Sequence, residues 1–238
     1  AGFTQSYTYF TWRNTKAELT EYLTELTQSE MKEYFRANFF TNTPDILPDY
    51  LQNSGRPGFL IRAFLAATLS PVYGIYSGFE LCEAAPVPGK EEYIDSEKYQ
   101  FKGRDWNAPG NIKEFLTRLN AIRRGNRALQ EYHNLRFHPA ENDRILFFSK
   151  STAAHDNRLL MAVTVDPFSP QTAFVRVPLA DFGIAADETF QVEDLLTGER
   201  FFWTGERNFI SLNPHSRPAH IFRVRSRAGR ENGQDVYL

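Results

Sequence analysis

A single cysteine, Cys82, leaves the 238-residue chain unable to form an internal disulfide, which removes the device that holds small secreted domains together. There is also no apolar run of 18 residues, so no segment reads as a membrane-spanning helix. The opening residues AGFTQSY lack the charged and apolar regions of a signal peptide, and a reducing cytoplasm is the expected compartment. Charge of one sign is scarce as well. With 27 basic against 29 acidic residues the net charge is -2, and no field exists that would hold a nucleic acid. His133, His138, His155, His215 and His220 show no metal-ligand spacing. Neither a serine nucleophile elbow nor a glycine-rich phosphate loop appears, and no internal repeat is visible. No cofactor is implied.

What is present is enough apolar material for a sizeable core: 42% hydrophobic residues, 15% of the chain aromatic. The first 125 residues alternate between strand and helix patterns. SYTYFTW (6–12) reads as a strand; Thr15 and Glu18 then have capping-box spacing ahead of Leu19, Tyr22, Leu23 and Leu26 on one helical face. Phe39 and Phe40 mark a second strand. GRPGFLIRAFLAATL (55–69) is a second helix with Pro57 near its first turn and Phe59, Leu60, Ala63, Phe64 and Ala67 inward. PVYGIYS (71–77) is a third strand, and after a long connection Asn111 and Glu114 resemble a cap for a helix that Gly125 can end.

This βαβαβα order implies parallel strands with crossover helices, in an open sheet or in part of a (β/α)8 barrel, which three units cannot close. From about residue 132 the pattern changes to short strands at 144–150, 159–165, 172–178, 189–195, 200–204 and 219–225, separated by turn dipeptides such as Asp166-Pro167 and Thr197-Gly198. These predict an antiparallel β-sandwich. Residues 1–127 are thus expected to be barrel, 128–226 sandwich and 227–238 a flexible tail.

Two stretches carry candidate chemistry. FFTNTPDI (39–46) leaves the second strand through Asn42, Thr43, Pro44 and Asp45, at the strand end where ligands collect in parallel α/β folds. The same residue types suit a tight turn, and composition alone leaves both readings open. The connection 77–110 is too long for an ordinary loop and mixes Tyr93, Tyr99 and Trp106 with many charged groups, a combination that suits the apolar faces and hydroxyl rims of a sugar. Trp203 lies on a strand and reads as core.

FFTNTPDILPDYLQNSGRPGFLIRAFLAATLSPVYGIYSGFELCE and PGKEEYIDSEKYQFKGRDWNAPGNI closely resemble the bacterial α-1,4-glucan:maltose-1-phosphate maltosyltransferases of the α-amylase clan. The likeness extends to YTYFTWRNTKAELTEYLTEL, VEDLLTGERFFW and RPAHIFRV. It implies retaining transfer of maltosyl units from α-maltose 1-phosphate to the non-reducing end of an α-1,4-glucan, with phosphate released, by an enzyme that tends to dimerise. On that resemblance the three strands are barrel strands six to eight. Asp45 matches the carboxylate that stabilises the oxocarbenium-like transition state, and Lys98 and Tyr99 of SEKY match donor-sugar contacts. An α-amylase would usually have Asn-His-Asp where this chain has Asn42-Thr43-Pro44-Asp45.

A retaining mechanism also requires a nucleophile and an acid/base carboxyl about 5 to 5.5 Å apart. No residue here matches either, and Glu80, Glu83, Glu91 and Glu92 do not fill the roles. The chain is therefore expected to be the C-terminal portion of a longer enzyme and inactive alone. A non-catalytic glucan-binding or assembly module and an α-glucan hydrolase are the competing readings.

Overall fold

The computed structural model describes residues 5–96 and 101–225. The chain opens with β1 (Ser6–Tyr7), a 3-10 turn (Tyr9–Trp12), α1 (Lys16–Gln28), a single-turn α2 (Met31–Tyr34), β2 (Ala37–Phe40), α3 (Asp49–Leu69), β3 (Val72–Gly74) and, after the long connection, α4 (Lys113–Gly125). β1, β2 and β3 pair in parallel in that order, with Ser6 opposite Ala37 and Phe39 opposite Tyr73. The α1 capping box forms as its spacing predicts: the Thr15 hydroxyl accepts from the Glu18 N–H at 3.2 Å, and the Glu18 carboxylate accepts from the Thr15 N–H at 3.0 Å.

Several boundaries differ from expectation. The first strand stops after two residues because the Thr8 side chain accepts from the Phe10 N–H and starts the 3-10 turn, while the Thr11 hydroxyl donates to the Phe40 carbonyl at 3.0 Å. A local side-chain bond thus outcompetes the β propensity of YTYF. The third strand shrinks from 71–77 to three residues. Ahead of α4, Asn111 accepts from the Lys113 N–H at 3.2 Å, but Ile112 is the cap residue and makes no side-chain cap bond.

The second helix starts six residues earlier than expected, at Asp49. Gly55, at φ 58 and ψ -162, breaks it into two segments. No side chain tolerates that conformation well, so glycine makes the kink, and Pro57 falls in the first turn of the second segment where its missing N–H costs nothing. Beyond the kink, every residue from Gly58 to Leu69 is buried rather than one stripe. One side of α3 faces the parallel strands and another faces a β-sheet, which is the situation of a helix apolar all round. A single cluster accordingly joins Phe39, Ile61, Phe64 and Leu65 to Phe148, Met161, Val163 and Ile221.

That sheet belongs to the second half: β4 (Leu135–His138), β5 (Ile145–Ser151), β6 (Arg158–Thr164), β7 (Gln171–Arg176), β8 (Thr189–Asp194), β9 (Arg200–Thr204), β10 (Arg207–Leu212) and β11 (Ala219–Arg225). Six strands form an antiparallel sheet in the order β4-β5-β6-β11-β8-β9, and β7 pairs with β10. β5 and β6 are buried on both faces: Leu146, Phe148, Leu159 and Met161 join the α3 cluster, while Ile145, Phe147, Leu160 and Ala162 face β7 and β10 through Val175 and Ile210. Trp203 packs in this second cluster, 5.1 Å from the Phe222 ring. The six strands read from sequence are present; β4 and β10 went unread.

Candidate functional site

The loops that leave the C-terminal ends of β2 and β3 meet around the Asn42 side chain. Asn42 is fully buried. Its Oδ1 accepts from the Thr41 hydroxyl at 3.0 Å and from the Tyr76 N–H at 2.9 Å, and its Nδ2 donates to the Tyr93 hydroxyl at 2.7 Å. One amide therefore ties the exit of β2 to the exit of β3 and to the long connection. Burial raises the Tyr93 pKa, so the phenol stays neutral and can serve as acceptor and donor together.

The next residues form the tight turn that their types allowed. The Thr43 N–H donates to the Ile46 carbonyl at 3.0 Å and the Ile46 N–H donates back at 3.1 Å, with Pro44 and Asp45 at the two central positions. Proline fixes its own φ there and lacks a donor that the turn would leave unused. Asp45 is exposed at the tip, on the strand-end side. Turn and strand-end readings thus coexist in one geometry.

The long connection is more ordered than its length foretold. Residues 85–94 form a hairpin, with Val87 donating to the Glu92 carbonyl at 2.8 Å, Lys90 to Val87 at 3.0 Å and Ile94 to Ala85 at 3.1 Å. Glu91 at its tip accepts from the Trp12 indole N–H and from the Asp49 N–H, both at 2.8 Å. An acidic side chain on the first turn of α3 is favoured by the unpaired amides there. Trp12 is itself placed through Arg62 of α3, which is buried and donates to the Arg13 carbonyl at 2.6 Å and to the Phe10 carbonyl at 2.7 Å. Burial lowers the Arg62 pKa to about 10.

Beside the hairpin, Glu83 accepts from Lys102 at 3.1 Å and from Arg104 at 3.0 Å. Arg104 lies 5.9 Å from the Tyr76 ring, which meets the Tyr93 ring edge-on at 5.5 Å. Gly78 leaves room for this carboxylate: at φ 96, an added Cβ would stand 2.4 Å from the Glu83 Oε2. The face accordingly combines aromatic rings, an ion-pair cluster and the exposed Asp45 carboxylate, which can receive hydroxyl donors and stabilise a nearby positive charge.

Of the residues singled out from sequence, Asp45 is at the strand-end face, while Lys98 and Tyr99 lie outside the described residues. Tyr93 was one aromatic among several; its bond to Asn42 joins positions 51 residues apart and leaves no local pattern. Glu91 and Trp12 were likewise unreadable as partners. Among the described residues no group of three or more His, Cys, Asp or Glu could hold a metal ion, and no helix is long and apolar enough to cross a membrane.

Residues 137–224 match the family model described as GLGE, C-terminal. The alpha-1,4-glucan:maltose-1-phosphate maltosyltransferase of Rhodospirillum rubrum is 55% identical over 223 residues, covering 94% of this chain and 32% of the relative. The enzymes of that name from Pseudomonas aeruginosa and Myxococcus xanthus are 54% and 51% identical, with 94% and 99% of this chain covered. The chain spans about a third of the length of these relatives, 32 to 35%. Among solved structures, α-amylases from Anoxybacillus and Geobacillus thermoleovorans superpose with TM-scores of 0.67 and 0.64, each at 12% identity over 92% of this chain and 45% of theirs. The α-amylase-like fold and the chain's resemblance to these maltosyltransferases are thereby shown.

Proposed function

We propose that this chain, a homologue of α-1,4-glucan:maltose-1-phosphate maltosyltransferases over nearly its whole length, is the C-terminal portion of such an enzyme and supplies part of its donor site. The complete enzyme moves maltosyl units from α-maltose 1-phosphate to the non-reducing end of α-1,4-glucans with phosphate release. β1, β2 and β3 correspond in this reading to barrel strands six, seven and eight, within a barrel portion of residues 1–127 followed by a sandwich of residues 128–226 and a tail of 227–238. The enzyme works in the cytoplasm, in glycogen-type α-glucan synthesis, as a homodimer.

The observation that carries the proposal is the Thr43–Ile46 turn at the C-terminal end of the middle parallel strand, with Asp45 exposed at its tip. Asp45 then holds hydroxyls of the distorted donor ring and stabilises positive charge as the bond to phosphate breaks. Lys98 donates to donor hydroxyls, and Tyr99 both packs and hydrogen-bonds. The nucleophile and acid/base carboxyls, about 5 to 5.5 Å apart in a retaining enzyme, come from the part of the enzyme that this chain does not span. The isolated chain is accordingly inactive.

The test is Asp45→Asn in the full-length enzyme. Loss of one such charge-stabilising contact lowers turnover by about 10²- to 10³-fold while the fold persists. Normal phosphate release by the folded variant would make Asp45 a turn residue only.

A further inference from the structure

We infer that the hairpin 85–94 clamps the Asp45 turn from both sides, with Tyr93 and Glu91 as positioning residues for maltosyl transfer. The inference rests on the proposed role of Asp45.

Where the Asp45 turn sits is set by the two chain segments that carry it, on either side of its two internal hydrogen bonds. Upstream of the turn, the hairpin holds it through Tyr93, whose hydroxyl takes the Asn42 amide at 2.7 Å. Downstream, the Glu91 carbonyl accepts from the Leu47 N–H at 2.7 Å, and the Glu91 carboxylate accepts from the Asp49 N–H at 2.8 Å. The Gln52 amide adds a bridge between the Leu47 carbonyl at 2.9 Å and the Lys90 carbonyl at 3.1 Å. Both chain segments that carry the turn therefore end on the same hairpin.

The hairpin is anchored in its turn to the other strand exits. Glu91 takes the Trp12 indole from the loop after β1, and the Tyr93 ring packs on Tyr76 after β3. Tyr93 also precedes Lys98 by only five residues, so the clamp and the SEKY stretch are neighbours in sequence. A transition-state stabiliser acts through preorganisation, and a displacement of about 1 Å can cost 10²-fold. A clamp that sets the direction of Asp45 should therefore act on turnover more than on donor affinity.

The experiment uses the full-length enzyme with α-maltose 1-phosphate as donor and measures kcat and KM for Tyr93→Phe, Glu91→Ala and Glu91→Gln, alone and combined with Asp45→Asn. Tyr93→Phe keeps the ring on Tyr76 and removes only the acceptor for Asn42. The expected result is kcat lowered about tenfold in Tyr93→Phe and Glu91→Ala with donor KM within about twofold, and partial recovery in Glu91→Gln, which retains one accepting oxygen. On the Asp45→Asn background the same changes are expected to cost less than about twofold more, because their effect passes through Asp45. Wild-type kcat in both folded single variants, or losses that multiply undiminished on the Asp45→Asn background, would overturn the clamp. Normal turnover by Asp45→Asn alone would instead overturn the functional reading on which it rests.

Discussion

Replacing Lys150 by methionine should make the protein more stable at neutral and acidic pH and remove much of its pH dependence between pH 6 and 9. Lys150 lies in β5 with no solvent exposure, and its ammonium donates to the Glu131 carbonyl at 2.7 Å. Burial, helped by the positive charge of Arg123, lowers its pKa from 10.5 to about 7, against a smaller opposing effect of Glu131. The unfolded chain therefore binds more protons between pH 7 and 10.5, and stability rises with pH across that window. Below pH 7 both states are protonated and the full penalty applies. From these pKa values the wild type gains about 3 kcal/mol between pH 6 and pH 9, and the penalty at pH 6 is on the order of 5 kcal/mol. Methionine fills a similar volume without the charge but leaves the Glu131 carbonyl without this donor, which costs about 1–3 kcal/mol. The net gain at pH 6 is then about 2–4 kcal/mol. Urea unfolding of wild type and variant at pH 6 and pH 9 reads it directly. Equal pH slopes in the two proteins, or a variant less stable at pH 6, would refute the buried-amine reasoning.

His138 hydrogen-bonds the Ser149 hydroxyl at 2.7 Å, and burial pushes its pKa down to about 4. The unfolded ring takes its proton first as pH falls, so stability should drop between pH 6.5 and 4 by about 3 kcal/mol, and His138→Gln should flatten acid unfolding curves in that range. Asp194→Ala should destabilise by about 3–5 kcal/mol in a thermal or urea melt, since a buried His220 partner at 2.8 Å and the Thr197, Leu196 and Ile221 donors lose their acceptor. A loss under 1 kcal/mol would show that this network does not hold β8 to β11. Lys98→Ala and Tyr99→Phe should each weaken use of α-maltose 1-phosphate, the lysine change more because it removes a charged donor; unchanged kinetics in both would detach SEKY from the donor site.

Period and punctuation carried most of the fold. The capping box at Thr15 and Glu18, the βαβ order and six of the eight antiparallel strands among the described residues were legible because each depends on neighbours within a turn or a strand. β10 was missed because RNFISL places Arg207, Phe209 and Ser211 outward and only Asn208, Ile210 and Leu212 inward, a mixed signal on both faces. The shortened first strand was missed because the Thr8 cap competes locally with β propensity. α3 was read as one-sided, since nothing in GRPGFLIRAFLAATL says that a second sheet covers its other face. At the candidate site, the turn in the NTPD stretch was legible through residue type. The long-range contacts were not: Asn42 with Tyr93, Trp12 with Glu91 and Arg62 with Phe10 are 51, 79 and 52 residues apart. Only the folded chain brings them together.

The most direct measurement of the central claim is to incubate the purified full-length protein with α-maltose 1-phosphate and a short α-1,4-glucan, following phosphate release together with glucan length. The expected result is phosphate release in step with glucan chains that lengthen by two glucose units at a time. Release of free maltose without chain growth would make the protein a hydrolase, and glucan binding without phosphate release would leave it a binding module; either outcome would contradict maltosyl transfer.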